Sequence, residues 1–180
     1  MAKGIVLLFD AEATRAIRQC WWQLEAAGIP SLESFTHRRH EPHVSLVVAD
    51  AIATAGCMDA LRTGFFPADP MRITFGPAGA FPGGWLYLGV DGLPASSHAT
   101  LIAALGGDAS DVWEHYLPEH WVPHCTLAGD LSGQQLASAI DVVRSVALPT
   151  TGLIMSAALV DSETGDLRLL HEHAAATAST

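Results

Sequence analysis

Lysine is almost absent from this chain: Lys3 is the single example among 180 residues. A P-loop needs a lysine closing a glycine-led turn, and no such segment exists, which excludes Walker-type nucleotide hydrolysis. Adenylation or a pyridoxal-phosphate Schiff base would have to use Lys3, four residues before Leu7 near the N-terminal end, so lysine-based covalent chemistry has no suitable nucleophile. Cysteine is scarce as well. Cys20, Cys57 and Cys125 form no CxxC pair, and their odd number is no disulfide framework, which fits a reducing compartment. Long hydrophobic runs are missing too: Ile5–Phe9 stops at Asp10 and Glu12, which is neither a secretory signal nor a membrane span. Basic side chains number 9 against 19 acidic ones, for a formal net charge of −10 and a pI near 5.1. Long nucleic acid is gripped by many Lys and Arg neutralising many phosphates, so this balance disfavours it, whereas a small anionic substrate needs only a few local donors. The expectation is a cytoplasmic, monomeric domain without membrane attachment.

Apolar residues make up 49% of the chain and charged ones 16%, which allows one packed core and excludes disorder. Strand and helix patterns alternate. Gly4–Phe9 reads as a buried strand, and Ala13, Ile17, Cys20, Trp21, Leu24 and Ala27 recur at helical spacing up to Gly28 and Pro30. His43–Ala49 reads as a strand, Ala51–Leu61 as a helix capped by Asp50, and Met71–Phe75 as a strand ended by Gly76 and Pro77. The order then recurs: strand Trp85–Val90, helix Ala95–Leu105, strand Val122–Ala128, helix Gly133–Val146 capped by Ser132, strand Gly152–Val160, and a hairpin strand Leu167–His171. The small polar tail 174–180 is expected to fray.

The recurrence has a register. Ile5 to His43 spans 38 residues, as does Leu86 to His124; His43 to Ile73 spans 30, as does His124 to Ile154. One offset of 81 superposes the halves. Two copies are too few for a solenoid, so the repeat predicts an α+β fold: a bilobal pseudo-two-fold duplication of two βαβ-like halves, with antiparallel sheets lining a central cleft. The lobes fall at about 4–78 and 84–171 of a single domain spanning 1–180.

At the matched position of each half stands one pattern, P-H-x-[S/T]-L: Pro42-His43-Val44-Ser45-Leu46 and Pro123-His124-Cys125-Thr126-Leu127. Strand alternation turns His43 and Ser45 to one face, and His124 and Thr126 likewise, with Val44, Leu46, Cys125 and Leu127 on the packed side. A two-fold axis would set the two pairs facing each other. Imidazole titrates near neutrality, so one ring can accept a proton while the other donates one. A phosphodiester needs that division of labour, and the hydroxyls can donate to its non-bridging oxygens.

The doubled HxSL/HxTL and the strand–helix order around it resemble the two-histidine (2H) phosphoesterase superfamily, and within it the bacterial branch called 2′-5′ RNA ligase-like. The resemblance runs from about Gly4 to Leu170. Phe81-Pro82-Gly83-Gly84-Trp85-Leu86-Tyr87-Leu88 is similar to the family's central hairpin, and Trp121-Val122-Pro123-His124 to its approach to the second motif. The resemblance implies a hydrolase acting without cofactor or metal on 2′,3′-cyclic phosphates or 2′-5′ linkages, by hydrolysis or transesterification. It assigns His43 and His124 as acid and base, and Ser45 and Thr126 as phosphate donors. RNA-binding members often carry a basic residue soon after the second motif, where this chain reads Ala128-Gly129-Asp130. That departure and the acidity point to a small nucleotide or an RNA end as the substrate. The alternative is a catalytically weak nucleotide-binding or interaction domain that keeps the same cleft.

Phe81 and Trp121 are candidates for stacking a base beside the cleft, since an aromatic face accepts any base; hairpin and linker packing is the competing account. Nine histidines raise the question of a metal. His37, His40 and His43, and His115, His120 and His124, each run through a proline into a strand, which splays the rings apart, so no metal site is expected.

Overall fold

The computed structural model describes residues 2–53, 58, 61–62, 65 and 70–173. The apolar run at the start forms β1 (Lys3–Phe9), which Asp10 converts into α1 (Ala11–Ala26). Asp10 Oδ1 accepts from the amides of Glu12 and Ala13, both at 2.9 Å, satisfying two N–H groups that a helix start leaves orphaned. The buried stripe of α1 is Ala13, Ile17, Cys20, Trp21 and Leu24, at the spacing its sequence predicts. The remaining elements are β2 (His43–Ile52), β3 (Met71–Phe81), β4 (Trp85–Asp91), α2 (Ala95–Leu105), β5 (Ala109–Val112), β6 (His124–Ala128), α3 (Gly133–Ser145), β7 (Thr151–Asp161) and β8 (Leu167–Glu172). Ser132 and Gln135 cap α3 reciprocally. Among the described residues, no helix is long and apolar enough to cross a membrane.

All eight strands join one antiparallel sheet in the order β5-β2-β1-β7-β3-β4-β6, with β8 on β7. The two halves thus interleave in a single sheet, with β7 of the second lying between β1 and β3 of the first, and β3 and β7 meeting at its centre. The offset of 81 survives at the level of individual pairs. Leu8 opposes His43 as Gly89 opposes His124, and Val6 opposes Ser45 as Tyr87 opposes Thr126. Even the bulge recurs: the register shifts between Ile5 and Val6, and again between Leu86 and Tyr87. At the junction Met71 opposes Ile154, Arg72 opposes Leu153 and Ile73 opposes Gly152. Arg72 and Leu153 differ by 81, so the pseudo-two-fold axis passes between them.

The sheet curls until β2 and β6, far apart in strand order, lie beside each other. Leu32 N–H donates to Leu127 O at 3.0 Å, and Trp121 Nε1–H donates to Ser45 O at 3.0 Å. One face carries the core, including Leu7, Val44, Leu46, Leu88, Cys125 and Leu127 beneath α1 and α3. Burial keeps the Cys20 and Cys125 thiols protonated, pushing them up to about 11 and about 12.

Several boundaries differ from the sequence reading. β2 continues through Asp50 to Ile52, so Asp50 is a strand residue and not a helix cap; its Oδ1 accepts Trp113 Nε1–H at 3.1 Å. Within the expected Ala51–Leu61 helix, Met58 and Leu61 are helical, while 54–57 (with Cys57) and 59–60 lie outside the described residues, as does the tail 174–180. β3 does not end at Gly76-Pro77; a register break between Phe75 and Ala78 absorbs the proline and the strand resumes to Phe81. β5 had no sequence signature, since Ala-Ser-Asp-Val pairs as a strand through the exposed edge of β2.

Candidate active site

His43 and His124 open β2 and β6, and the burial of both strands alternates as their side-chain period requires. Val44, Leu46, Cys125 and Leu127 are fully buried, whereas His43, Ser45, His124 and Thr126 are half-buried on the opposite face. Each histidine is held alike. His43 Nδ1 lies 2.6 Å from Glu41 O, and His124 Nδ1 lies 2.6 Å from Val122 O. A carbonyl can only accept, so Nδ1 carries the proton of the neutral ring, and Nε2 is left with its lone pair for the cleft.

Burial pushes both imidazoles below the ordinary value; the carbonyl bonds oppose this, and the charge of His124 lowers His43 further. The cleft is also asymmetric. A cavity of about 360 Å³ opens beside His124 and Thr126, with Phe81, Trp85, Trp113, Tyr116, His115 and His120 among its walls. Phe81 stands edge-on to His124 at 4.8 Å between ring centroids and stacks on Tyr87 at 4.2 Å. Among the described residues, no three His, Cys, Asp or Glu side chains are grouped so as to hold a metal ion.

Trp121 is not the stacking surface that the sequence suggested. It is 9% exposed, its ring lies parallel to that of the buried His98 at 4.0 Å, and its N–H is occupied by Ser45 O. Its work is to brace β2. The residues missed are Trp113 and Tyr116, on the segment between α2 and β6. Burial drives the Tyr116 phenol above its usual range and keeps it protonated, with the Ser45 side chain beside it opposing the shift. The one available signal was the repeat itself: at the offset of 81 these positions correspond to Leu32 and Phe35, so the second copy departs from the first at the wall of this cavity.

A family model described as the 2′-5′ RNA ligase superfamily matches residues 9–166. No curated protein matches the chain. Among solved structures the fold is similar to that of E. coli LigT complexed with 3′-AMP, at 16% identity and a TM-score of 0.52 over 93% of this chain and 91% of that one.

Proposed function

The chain belongs to the 2′-5′ RNA ligase superfamily, and on that premise we propose that it is a metal-independent phosphodiesterase acting on 2′,3′-cyclic nucleotides or 2′-5′ linkages through His43 and His124. The observation that carries this reading is the doubled dyad. Two rings on neighbouring strands are oriented by the same 2.6 Å bond, and each has a hydroxyl two residues on. In hydrolysis, one neutral Nε2 takes a proton from the attacking water while its oxygen bonds to phosphorus. The opposite imidazolium gives its Nε2 proton to the departing ribose oxygen. Ser45 and Thr126 donate to the non-bridging oxygens, where charge accumulates. Proton and electron pairs balance, and the spent acid and base exchange protons with solvent.

The test is turnover of a panel of 2′,3′-cyclic nucleotides and 2′-5′ dinucleotides with excess EDTA throughout. Hydrolysis at full rate in chelator is expected. No turnover across the panel, with binding retained, would replace this reading by that of a nucleotide-binding domain.

The pH dependence follows from the burial of both rings. The base must be neutral, and a depressed pKa keeps it neutral further into acid, so the acid limb of kcat/KM lies below about 6.5. The acid must be charged, and the same desolvation moves the alkaline limb downward too. kcat/KM therefore peaks on the mildly acidic side. A bound phosphodiester anion favours imidazolium, so the alkaline limb of kcat lies higher than that of kcat/KM. Measuring both profiles checks this; a kcat/KM optimum at pH 8 or above contradicts it.

The charge balance also limits substrate size. With 9 basic against 19 acidic side chains, little surface is left for a track along a phosphate backbone. Extending a 2′,3′-cyclic mononucleotide to a decamer with the same end is expected to change kcat/KM by less than about tenfold, about 1.4 kcal/mol. The salt slope should match one or two neutralised phosphates. A far faster decamer with a steep slope would point instead to processing of long RNA.

A further inference from the structure

Two chain segments cross between the halves in the same sense, with acceptors two residues out of the repeat's register. In the first half the segment before β2 reaches over to β6, where Leu32 N–H donates to Leu127 O at 3.0 Å; in the second the segment before β6 reaches over to β2, where Trp113 N–H donates to Val48 O at 2.9 Å. Leu32 and Trp113 are equivalent at the offset of 81, yet their fates are opposite. Leu32 is 5% exposed in the core, and Trp113 is 47% exposed at the wall of the His124 cavity. Its indole is not loose, because Nε1–H is anchored on Asp50 Oδ1.

The hairpins at the two mouths differ in the same sense. Phe81 and Trp85 flank His124; at the offset of 81 Phe81 corresponds to Ser162, and Trp85, at the start of β4, corresponds to Gly4 in β1. Ser162 Oγ donates to Ala2 O at 2.7 Å and Asp166 is ion-paired with Arg39 at 2.9 Å. A larger cavity of about 730 Å³ opens on that side. Leu8 and Ser156 on its floor lie in the same row of the sheet as His43, since directly paired residues share a face. It has no tryptophan or tyrosine in its lining, and its charges are largely paired: Arg18 bridges Glu33 and Glu41, and Asp10 is consumed capping α1. Its aromatic rings are Phe9, 6% exposed in the core, and His40, packed against His37 and Phe35, so this mouth suits a hydrated, polar group better than a base.

We propose that the cleft holds a single nucleobase, stacked on Trp113 in the His124-side cavity, so that a diester is bound in one direction, with its second ester group in the polar mouth beside His43. This deepens the reading of the site as a nucleotide phosphodiesterase and rests on it. An indole face accepts any base, so the subsite selects the presence of a base more than its identity. Tyr116 links the subsite to the reacting centre, because it shares the same short segment with Trp113 and faces the Ser45 side chain.

Equilibrium binding of adenosine 3′-monophosphate and of base-free ribose 3-phosphate tests the subsite. Trp113→Ala is expected to weaken the nucleotide by about 10- to 100-fold and the base-free ligand by less than about twofold, the range of one base–aromatic stack. Trp113→Phe should restore most of the loss, which separates stacking from damage to the fold. Equal weakening of both ligands, or no effect on either, overturns the subsite. Direction is tested with 2′-5′ dinucleotides lacking one base or the other. Removing one base should lower kcat/KM by about 10- to 100-fold and removing the other by less than about threefold, with Trp113→Ala erasing the difference; equal losses overturn the single orientation. Trp113-dependent base binding without turnover of any cyclic nucleotide would support the subsite while removing the phosphodiesterase reading, so the two fail separately.

Discussion

His43→Ala and His124→Ala are each expected to lower kcat by roughly 10²–10⁴-fold, and the double variant should be scarcely slower than either single one. The non-additivity is the informative part. Removing the base leaves the acid with no nucleophile to meet, and removing the acid leaves the nucleophile facing a poor leaving group. Each variant should also lose one limb of the bell-shaped pH profile, which assigns acid and base where pseudo-symmetry leaves them equivalent. Ser45→Ala and Thr126→Ala remove transition-state donors at a cost of about 2–4 kcal/mol each. The two need not match, because Ser45→Ala also changes the surroundings of the Tyr116 phenol. Steady-state kinetics on a 2′,3′-cyclic nucleotide checks all four. Near-wild-type turnover in either histidine variant would remove the paired acid–base mechanism.

Gly84→Ala is expected to be the most damaging single-methyl change in the hairpin that walls the cavity. Gly84 sits at φ +78°, which L side chains rarely adopt, and a Cβ there would lie 2.0 Å from the carbonyl oxygen of Leu131. That neighbour is backbone, at the approach to the Ser132 cap of α3, and it cannot rotate away. The strain and the overlap together should destabilise the protein by about 3–5 kcal/mol. Thermal unfolding should reveal this as a drop on the order of 10 °C for a chain of this size. Gly133→Ala is the control. No atom lies within 4 Å of its would-be Cβ, and alanine in the first turn of a helix is neutral or mildly stabilising. If both variants melt alike, the close approach of the hairpin to α3 is not what holds it in place.

Periodicity in the chain marks out the elements whose burial is one-sided. The α1 stripe from Ala13 to Leu24 and the alternation through His43–Leu46 and His124–Leu127 are both local consequences of a face being turned to a core. Boundaries set by partners were not legible. Asp50-Ala51-Ile52 looks like a helix start, yet it is held as strand by pairing with β5, whose own Ala-Ser-Asp-Val has no strand character in isolation. Gly76-Pro77 looks like a strand end, yet long-range pairing on both sides of the break carries β3 across it. Trp121 and Trp113 show the same limit in side chains. Both are tryptophans near the second motif, and only the positions of His98 and Asp50, each from a distant element, decide that one is a brace and the other a wall.

What the sequence determined by itself is the duplication and the pair of dyads. An internal repeat writes the same motif at the same register twice, and strand alternation turns each histidine and its hydroxyl residue to one face without reference to anything distant. What only the tertiary structure decided is how those copies meet and how they differ. The pairing of Arg72 with Leu153 places the axis, and the curl of the sheet brings β2 beside β6. The crossing of the two segments puts Trp113 over one mouth while Leu32 is buried at the other. These outcomes depend on contacts between residues scores of positions apart, whose energies come from packing and hydrogen bonds that no local pattern encodes.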